Sequence, residues 1–336
     1  MTNSRINWID WAKVLAIFFV VFGHTPQERG SFLISYICSF HMPFFFMLSG
    51  YLSRGSIDTK ANLKKHWHSL VIPYFLYNFI FYPYWIVRYF IDQHGLLSLN
   101  EVVVKPFLGL FFCQIGTPIS SVLNGVTWFL VALLLMRITL NICHRFHNPD
   151  RLLLWTAIFV ALLNIIAVYI HWIDSVSEIG FLHCFPFYIW GYFMKKYSLL
   201  SCCQWQNDFI SGVFYLVLSI VLYIYGESIT PSYLVHIIFF YFLMISACLA
   251  MAYICRLLDS YTSNFLVTFS SGTIVIMGIH WMCVGTVNFL IERMIGVSEI
   301  KYDWYVAVIL AAAICLFHYP IIVLARKYFP ALLGRK

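Results

Sequence analysis

The chain has 336 residues, of which 62% are hydrophobic and only 10% are charged, and its formal net charge is +7. Ordinary globular domains carry about 25% charged residues, so a soluble domain could not cover this much apolar surface. The composition excludes a soluble enzyme and a nucleic-acid-binding protein, and it indicates an integral membrane protein.

Apolar runs long enough to cross a membrane recur along the whole chain. A helix needs about 20 such residues to cross the hydrocarbon core. We predict ten of these helices, which form an all-α, polytopic membrane helix bundle within one domain, residues 1–336. The predicted spans are 8–24, 31–53, 69–91, 126–143, 152–172, 179–195, 208–226, 233–255, 265–291 and 304–326.

The lysines and arginines are divided unevenly between the two ends of this bundle. With a cytoplasmic N-terminus, fifteen fall on the cytoplasmic side and five on the outer side, while Lys13 falls inside the membrane region. Cytoplasmic loops carry the excess of Lys and Arg in membrane proteins. We therefore predict that both termini are cytoplasmic.

The segment between the third and fourth spans, LSLNEVVVKPFLGLFFCQIGTPISSVLNG, is interrupted by Pro and Gly. Non-helical backbone at membrane depth must be buried in protein or line a cavity, because lipid offers no hydrogen bonds. We predict an outer loop with a re-entrant piece at 107–113. The ten cysteines form no C-x-x-C pair, so neither a disulfide framework nor a metal site is predicted.

The first span reads DWAKVLAIFFVVFGH, with ionisable groups at both ends of an apolar run. From Lys13 to His24 the helix makes about three turns and rises about 16 Å, which places both on nearly the same face. Asp10 lies one turn before Lys13 on that face. Ionisable groups inside a span usually face the bundle interior and serve a function. The alternative is an interfacial Asp10–Lys13 ion pair, with His24 ending the helix near the headgroups.

The second span contains SFHMPFFFMLSGYL. Pro43 removes a backbone donor and kinks the helix, and Gly50 allows another backbone or a ligand to come close. His41 either lines a functional path or bonds to a neighbouring helix.

The loop after this span, TKANLKKHWHSLVIPYF, places Lys64, Lys65 and His68 just before the third span. Such a cluster can bind phosphate groups by charge and hydrogen bonding. It is also what the positive-inside rule predicts for any cytoplasmic loop. Later spans contribute Trp128, in TWFLVALLLMR, and His280, in TIVIMGIH.

These blocks, in this order, resemble acyltransferase family 3, and within it the fucose 4-O-acetylase-like sugar O-acetylases. The resemblance covers nearly the whole chain, and its most specific blocks are FHMPFFFMLSGYL and the D-x-x-K…H pattern of the first span. It implies a multi-pass enzyme of the bacterial inner membrane. Such an enzyme transfers an acetyl or other short acyl group from cytoplasmic acyl-CoA to a hydroxyl of a cell-surface glycan or its precursor.

The partners implied by the resemblance are acyl-CoA, a glycan or lipid-linked sugar acceptor, and membrane lipid, with no nucleic acid. Acetyl-CoA acts as donor substrate, and no bound cofactor or metal is expected. The oligomeric state is left open, a homo-oligomer included.

The resemblance also implies roles for residues of the first span. An essential arginine and histidine of the family correspond here to Lys13 and His24. A lysine carries over the charge of an arginine but not its bidentate contact. His24 is the expected base or acyl-accepting nucleophile, and Asp10 is expected to hold Lys13 or to orient donor-side groups with it.

The family's R-x-x-R element before the third span is matched only partly by KHWH at 65–68. Donor binding is therefore assigned to Lys64, Lys65 and His68. His41, Trp128 and His280 are assigned to the path or the acceptor.

A different class of function is also compatible with these residues. In a transporter or flippase, Asp10, Lys13, His24, His41 and His280 would form a relay for protons or substrate. Inverted repeats with paired broken helices would favour that alternative, and the sequence shows none.

Overall fold

A computed structural model describes residues 5–28, 31–92, 98–113, 119–169, 176–200, 205–229 and 233–335. Across these ranges the chain is mainly helical, and an isolated strand-like bridge pairs Gln27 with Tyr302. The helices are α1 (Asn7–His24), α2 (Phe32–Tyr51), α3 (Thr59–His66), α4 (Ile72–Asp92), α5 (Lys105–Gly109), α6 (Trp128–Cys143), α7 (Pro149–Tyr169), α8 (Val176–Lys196), α9 (Trp205–Ile229), α10 (Tyr233–Leu257), α11 (Asn264–Ser271), α12 (Thr273–Ile295) and α13 (Trp304–Tyr328).

Each of the ten predicted spans corresponds to helix, so the predicted all-α bundle is confirmed. Within the described ranges, eight helical segments are long and apolar enough to cross a membrane. Helices α1 and α8 are not among those eight. Helix α1 contains the charged residues Asp10 and Lys13, and α8 ends in the Lys195–Lys196 pair.

Helix α1 lies at the centre of the bundle, where it packs against α2, α10, α11, α12 and α13. Small and branched side chains such as Ala12, Ala16 and Val21 are fully buried along its length. Because neighbouring helices rather than lipid surround it, α1 can carry ionisable groups that a lipid-facing helix could not. We call the end at which α1 begins the inner end of the bundle, and the end at which His24 lies the outer end.

The predicted span 265–291 is two helices rather than one. Helix α11 begins after Ser263, whose hydroxyl accepts a hydrogen bond from the Leu266 amide (3.1 Å). It ends at Ser271, and α12 begins at Thr273. The break faces the inner half of α1, so the Ser270 hydroxyl of α11 reaches Asp10 on that helix.

The segment 98–113 folds back against α4. The Tyr82 hydroxyl donates to the Val103 carbonyl (2.8 Å), and the Tyr74 hydroxyl donates to the Leu110 carbonyl (2.7 Å). The predicted re-entrant piece consists of the end of α5 and a following turn, in which Leu110 is buried and Phe111 is exposed.

Helices α2 and α8 touch backbone to backbone through a reciprocal pair of glycines. A methyl group at Gly50 would overlap the Tyr188 carbonyl oxygen, and one at Gly191 would overlap the Met47 carbonyl oxygen. The sequence block that ends in LSGYL therefore sets the distance between these two helices, as small residues commonly do in membranes.

Replacing Gly50 with alanine should lower the melting temperature of the detergent-solubilised protein. The added methyl overlaps backbone that cannot move away, and overpacking of this kind costs about 1–3 kcal/mol. Gly226→Ala is the matched control, because a methyl there meets no atom within 4 Å. Equal melting temperatures for Gly50→Ala and Gly226→Ala would contradict the proposed contact.

Candidate active site

A cavity of about 1140 Å³ opens at the inner end of the bundle. Its walls come from the first half of α1, the end of α2, the α3–α4 junction, α6 and the α11–α12 break. Pockets for drug-sized ligands usually measure about 300–1,000 Å³. The cavity therefore has room for a ligand as large as a nucleotide with a substituent.

The wall of this cavity is strongly cationic. Its described residues include one carboxylate, Asp10, and seven cationic side chains: Arg5, Lys13, Arg54, Lys65, Arg137, Lys195 and Arg335. Five of the seven are exposed, whereas Lys13 and Arg137 are half-buried. A cavity with this charge favours an anionic ligand.

The carboxylate of Asp10 is fully engaged by groups other than Lys13. Arg5 donates to it from Nε (2.5 Å) and Nη2 (2.9 Å), and the Ser270 hydroxyl donates to Oδ1 (2.5 Å). Asp10 is 3% exposed. The expected Asp10–Lys13 contact is thus replaced by a bidentate pair with Arg5, which lies five residues earlier in the chain.

Lys13 and Arg137 both line the cavity and lie within electrostatic reach of each other. Each is six residues from the inner end of its helix, about 9 Å along the axis. Arg137 donates to the Ser69 hydroxyl at 3.4 Å. Among the residues that the structure describes, neither cation forms an ion pair.

The basic segment before α4 presents a different face to the cavity from the predicted one. Lys65, His66, Ser69 and Leu70 line it, as residues spaced by three to five positions on one helical face do. Lys64 is exposed in the last turn of α3. Neither Lys64 nor His68 belongs to the lining, so of the three residues assigned to the donor the structure brings only Lys65 to the cavity.

The cavity becomes apolar towards the outer end. Phe45, Phe129, Leu130 and Met277 line this part, and the rings of Phe45 and Phe129 meet edge to face at 4.9 Å. Met277 lies one helical turn before His280, so the apolar part of the cavity ends close to the histidines of the outer end.

At the outer end, His24 lies beside His280 of α12. The two imidazole rings are 5.0 Å apart between centroids and are nearly perpendicular. His280 is fully buried, whereas His24 is exposed. A substrate from outside the bundle can therefore reach His24 but not His280.

Backbone carbonyl groups determine which nitrogens of this pair carry protons. Nδ1 of His24 lies 2.8 Å from the Val20 carbonyl oxygen, and Nδ1 of His280 lies 2.9 Å from that of Ile276. A carbonyl only accepts, so each Nδ1 carries the hydrogen. The His24 Nδ1–H is also 3.4 Å from His280 Nε2. This arrangement leaves Nε2 of His24 with a free lone pair.

The two other residues assigned to the acceptor differ in their placement. His41 bonds through Nδ1 to the Ile37 carbonyl (3.2 Å) and lies within electrostatic reach of His24. Trp128 packs against Phe46 at 5.9 Å and over Gly180 of α8. The structure thus brings His41, but not Trp128, towards the histidine pair.

Sequence reasoning missed Trp281, which follows His280 directly. Its indole lies 6.4 Å from the His24 ring and stacks on Phe81 at 5.7 Å. Its ring remains 36% exposed. An exposed aromatic face beside an exposed imidazole can position a substrate by stacking.

A second pocket, of about 640 Å³, lies between the α1–α2 connection and the start of α13. Its lining combines the carboxylates of Glu28 and Asp303 with the aromatic rings of Phe32, Tyr302 and Trp304. The Tyr302 amide donates to the Pro26 carbonyl (3.0 Å). This bond ties the pocket wall to the segment that follows His24.

Comparison with known proteins assigns the chain to a family. The acyltransferase domain family matches residues 6–334, a range that contains the cationic cavity and both histidines of the outer end. The chain belongs to acyltransferase family 3. Its apolar helices are those of a multi-pass membrane member of that family.

One relative with a similar sequence is the nodulation protein NolL of Mesorhizobium japonicum (strain LMG 29417 / CECT 9101 / MAFF 303099). It is 26% identical over 242 residues, which cover 66% of this chain and 56% of NolL. The chain thus spans little more than half the length of that relative. No solved structure matches the chain significantly.

Ser270→Ala should destabilise the protein more than Ser271→Ala. Both serines line the cavity, but only Ser270 donates to buried Asp10, whereas Ser271 donates to the nearby Thr268 carbonyl. Loss of a hydrogen bond to a buried charge costs about 1.5–3 kcal/mol. Melting temperatures in detergent test the difference, and equal shifts would show that the Asp10 contact contributes little.

Proposed function

We propose that this acyltransferase moves an acetyl or other short acyl group from acyl-CoA to a hydroxyl of a cell-surface glycan or its precursor. The observation that carries the proposal is the arrangement along α1 of a cationic cavity at the inner end and a histidine pair at the outer end. Donor and acceptor then have separate entrances to one reaction centre. The proposed location is the bacterial inner membrane, with the inner end in the cytoplasm.

The cavity suits acyl-CoA because that donor joins an anionic nucleotide to a long, uncharged pantetheine arm. The phosphates would meet the cationic side chains, and the arm would follow the apolar wall at Phe45, Phe129 and Met277. The rise of about 16 Å from Lys13 to His24 is comparable to the length of the arm. The flexible side chain of Met277 would turn aside to let the thioester reach His24.

The proposed reaction uses His24 as a general base. Nε2 takes the proton of the acceptor hydroxyl while the hydroxyl oxygen bonds to the thioester carbonyl carbon. The tetrahedral intermediate then collapses, the C–S bond breaks, and the CoA thiolate receives the proton from His24. In the covalent variant, Nε2 first attacks the thioester carbonyl carbon, and the C–S bond breaks to release the CoA thiolate. The acyl-imidazolium then passes its acyl group to the acceptor oxygen, and the hydroxyl proton goes to the thiolate.

His280 has a positioning role in this proposal. Protonation of Nε2 makes His24 a cation, and its Nδ1–H then interacts more strongly with the Val20 carbonyl and with Nε2 of His280. These acceptors hold the ring and stabilise its charge. His280 itself is buried and does not meet the substrate.

The outer pocket supports an acceptor that carries many hydroxyl groups. The carboxylates of Glu28 and Asp303 can accept hydrogen bonds from such hydroxyls, and aromatic rings such as Trp304 can pack on the apolar face of a sugar ring. Trp281 offers a further aromatic face beside His24. These features favour acyl transfer at the outer end.

The direct test is mass spectrometry of surface polysaccharide from cells with the wild-type gene, without the gene, and with single variants. His24→Ala should lower O-acylation by about 10²- to 10⁴-fold, as expected for loss of a general base. His147→Ala is the matched control, because that histidine is exposed at the inner end. Normal acylation in cells that carry only His24→Ala would refute the assignment.

The variant His280→Phe, measured in the same cells, tests whether His280 positions the His24 ring or takes part in catalysis directly. This variant keeps the aromatic volume but removes the acceptor for His24 Nδ1–H, so it should retain part of the activity that His24→Ala loses. With purified protein, kcat should fall while KM for the donor stays the same. An increase in KM alone would instead place His280 in substrate binding.

A further inference from the structure

The floor of the inner cavity contains a group of four side chains, and the positive charge of the cavity wall does not explain the hydrogen bonding within this group. We call it the floor site and define it by Lys13, His66, Ser69 and Arg137, all of which line the cavity. His66 is only 7% exposed. It is flanked by the cations of Lys65 and Arg137, and its own hydrogen bonding is unusual.

The hydrogen-bond network around His66 fixes its tautomer. The Asn141 side-chain oxygen accepts from the Ser56 amide (3.1 Å), so its Nδ2 is the group that faces His66 Nε2, at 3.0 Å. An NH₂ group only donates. Nε2 of His66 is therefore an acceptor, and the hydrogen of the neutral ring lies on Nδ1.

This Nδ1–H has no hydrogen-bond partner among the described residues. Buried donors without an acceptor are rare in folded proteins and call for a specific explanation. His66 lines the cavity, so a ligand with an acceptor atom can supply the missing partner. A phosphate oxygen is such an atom.

The other members of the floor site favour the same kind of ligand. Lys13 and Arg137 place two positive charges within electrostatic reach of each other in one cavity, and no carboxylate from the described part of the chain forms an ion pair with either. The first residues of α12, Thr273 and Ile274, line the same cavity. The N-terminal end of a helix carries partial positive charge and commonly binds phosphate.

We propose that the floor site binds the diphosphate of the acyl-CoA donor, an inference that rests on the proposed function for the identity of the donor. The diphosphate is the anionic group from which the pantetheine arm extends, so it must lie deepest among the phosphates. The 3′-phosphate then meets exposed cations at the mouth, such as Lys65 and Lys195. Arg137 supplies the bidentate guanidinium contact that Lys13 cannot make.

The test measures binding of CoA and dephospho-CoA to the purified full-length protein in lipid nanodiscs by isothermal titration calorimetry. Both ligands contain the diphosphate, and only CoA has the 3′-phosphate. Arg137→Gln should weaken binding of both ligands by the same factor, about 10- to 100-fold, as expected for a charge-assisted hydrogen bond. Arg151→Gln, which removes an exposed charge at the same end of the bundle, should leave both affinities unchanged.

Two variants of His66 test whether its unpaired Nδ1–H group contacts the ligand. An asparagine amide reaches about the position of Nδ1, whereas a glutamine amide reaches about that of Nε2. His66→Asn should therefore bind both ligands more tightly than His66→Gln. If Arg137→Gln does not fold, Arg137→Lys replaces it, and weaker binding of both ligands is again expected because the bidentate contact is lost.

The possible failures are distinguishable. Wild-type affinity for CoA in Arg137→Gln, Arg137→Lys and His66→Gln would overturn the floor site but leave acyl-CoA as the donor. A loss confined to CoA, with dephospho-CoA unaffected, would place the 3′-phosphate at the floor and overturn the inference. Binding of inorganic diphosphate but not of CoA by the wild-type protein would support an anion site and refute the proposed donor.

Discussion

The buried carboxylate of Asp10 determines what the other charges of α1 can do. An unpaired charge inside an apolar bundle is strongly unfavourable, and Arg5 and Ser270 together satisfy this one. They also join the inner end of α1 to α11. Because the carboxylate is already engaged by Arg5 and Ser270, the nearby ammonium of Lys13 lines the cavity without an ion pair to it among the described residues. A cation in that position favours an anionic ligand.

The same helix carries the proposed base of the outer end. His24 ends α1, and its ring is held by the Val20 carbonyl and by His280. One rigid element thus fixes the separation between the cationic cavity and the exposed imidazole. Surrounding helices enclose α1 on most sides, which is why a helix with ionisable groups can occupy the centre of a membrane bundle. The proposed path of the acyl group runs alongside this helix.

The sequence alone predicts the helices, and it predicts that Lys13 and His24 share one face of α1, because both features follow from local periodicity. It could not supply the partners of those residues. Ser270 meets Asp10 across 260 residues, and His280 meets His24 across 256. The break between α11 and α12, at Ser271 and Gly272, was also missed, because the apolar residues on either side of it were taken as one continuous span.

The basic segment before α4, which was assigned to binding of the acyl-CoA donor, shows a second limit of prediction from sequence. The motif suggested Lys64, Lys65 and His68, but the helical register turns Lys65, His66 and Ser69 towards the cavity. Charge alone does not identify which face of a helix is buried. The significance of His66 depends on Asn141, which lies 75 residues away and fixes its tautomer.

The central claim is that the acyl group enters at the inner end and leaves at the outer end. Its most direct test uses proteoliposomes in which the inner end faces outwards, with labelled acetyl-CoA outside and polysaccharide acceptor trapped in the lumen. The claim predicts label on the lumenal acceptor while the CoA remains outside. Label only on acceptor supplied together with acetyl-CoA on the outside would contradict it.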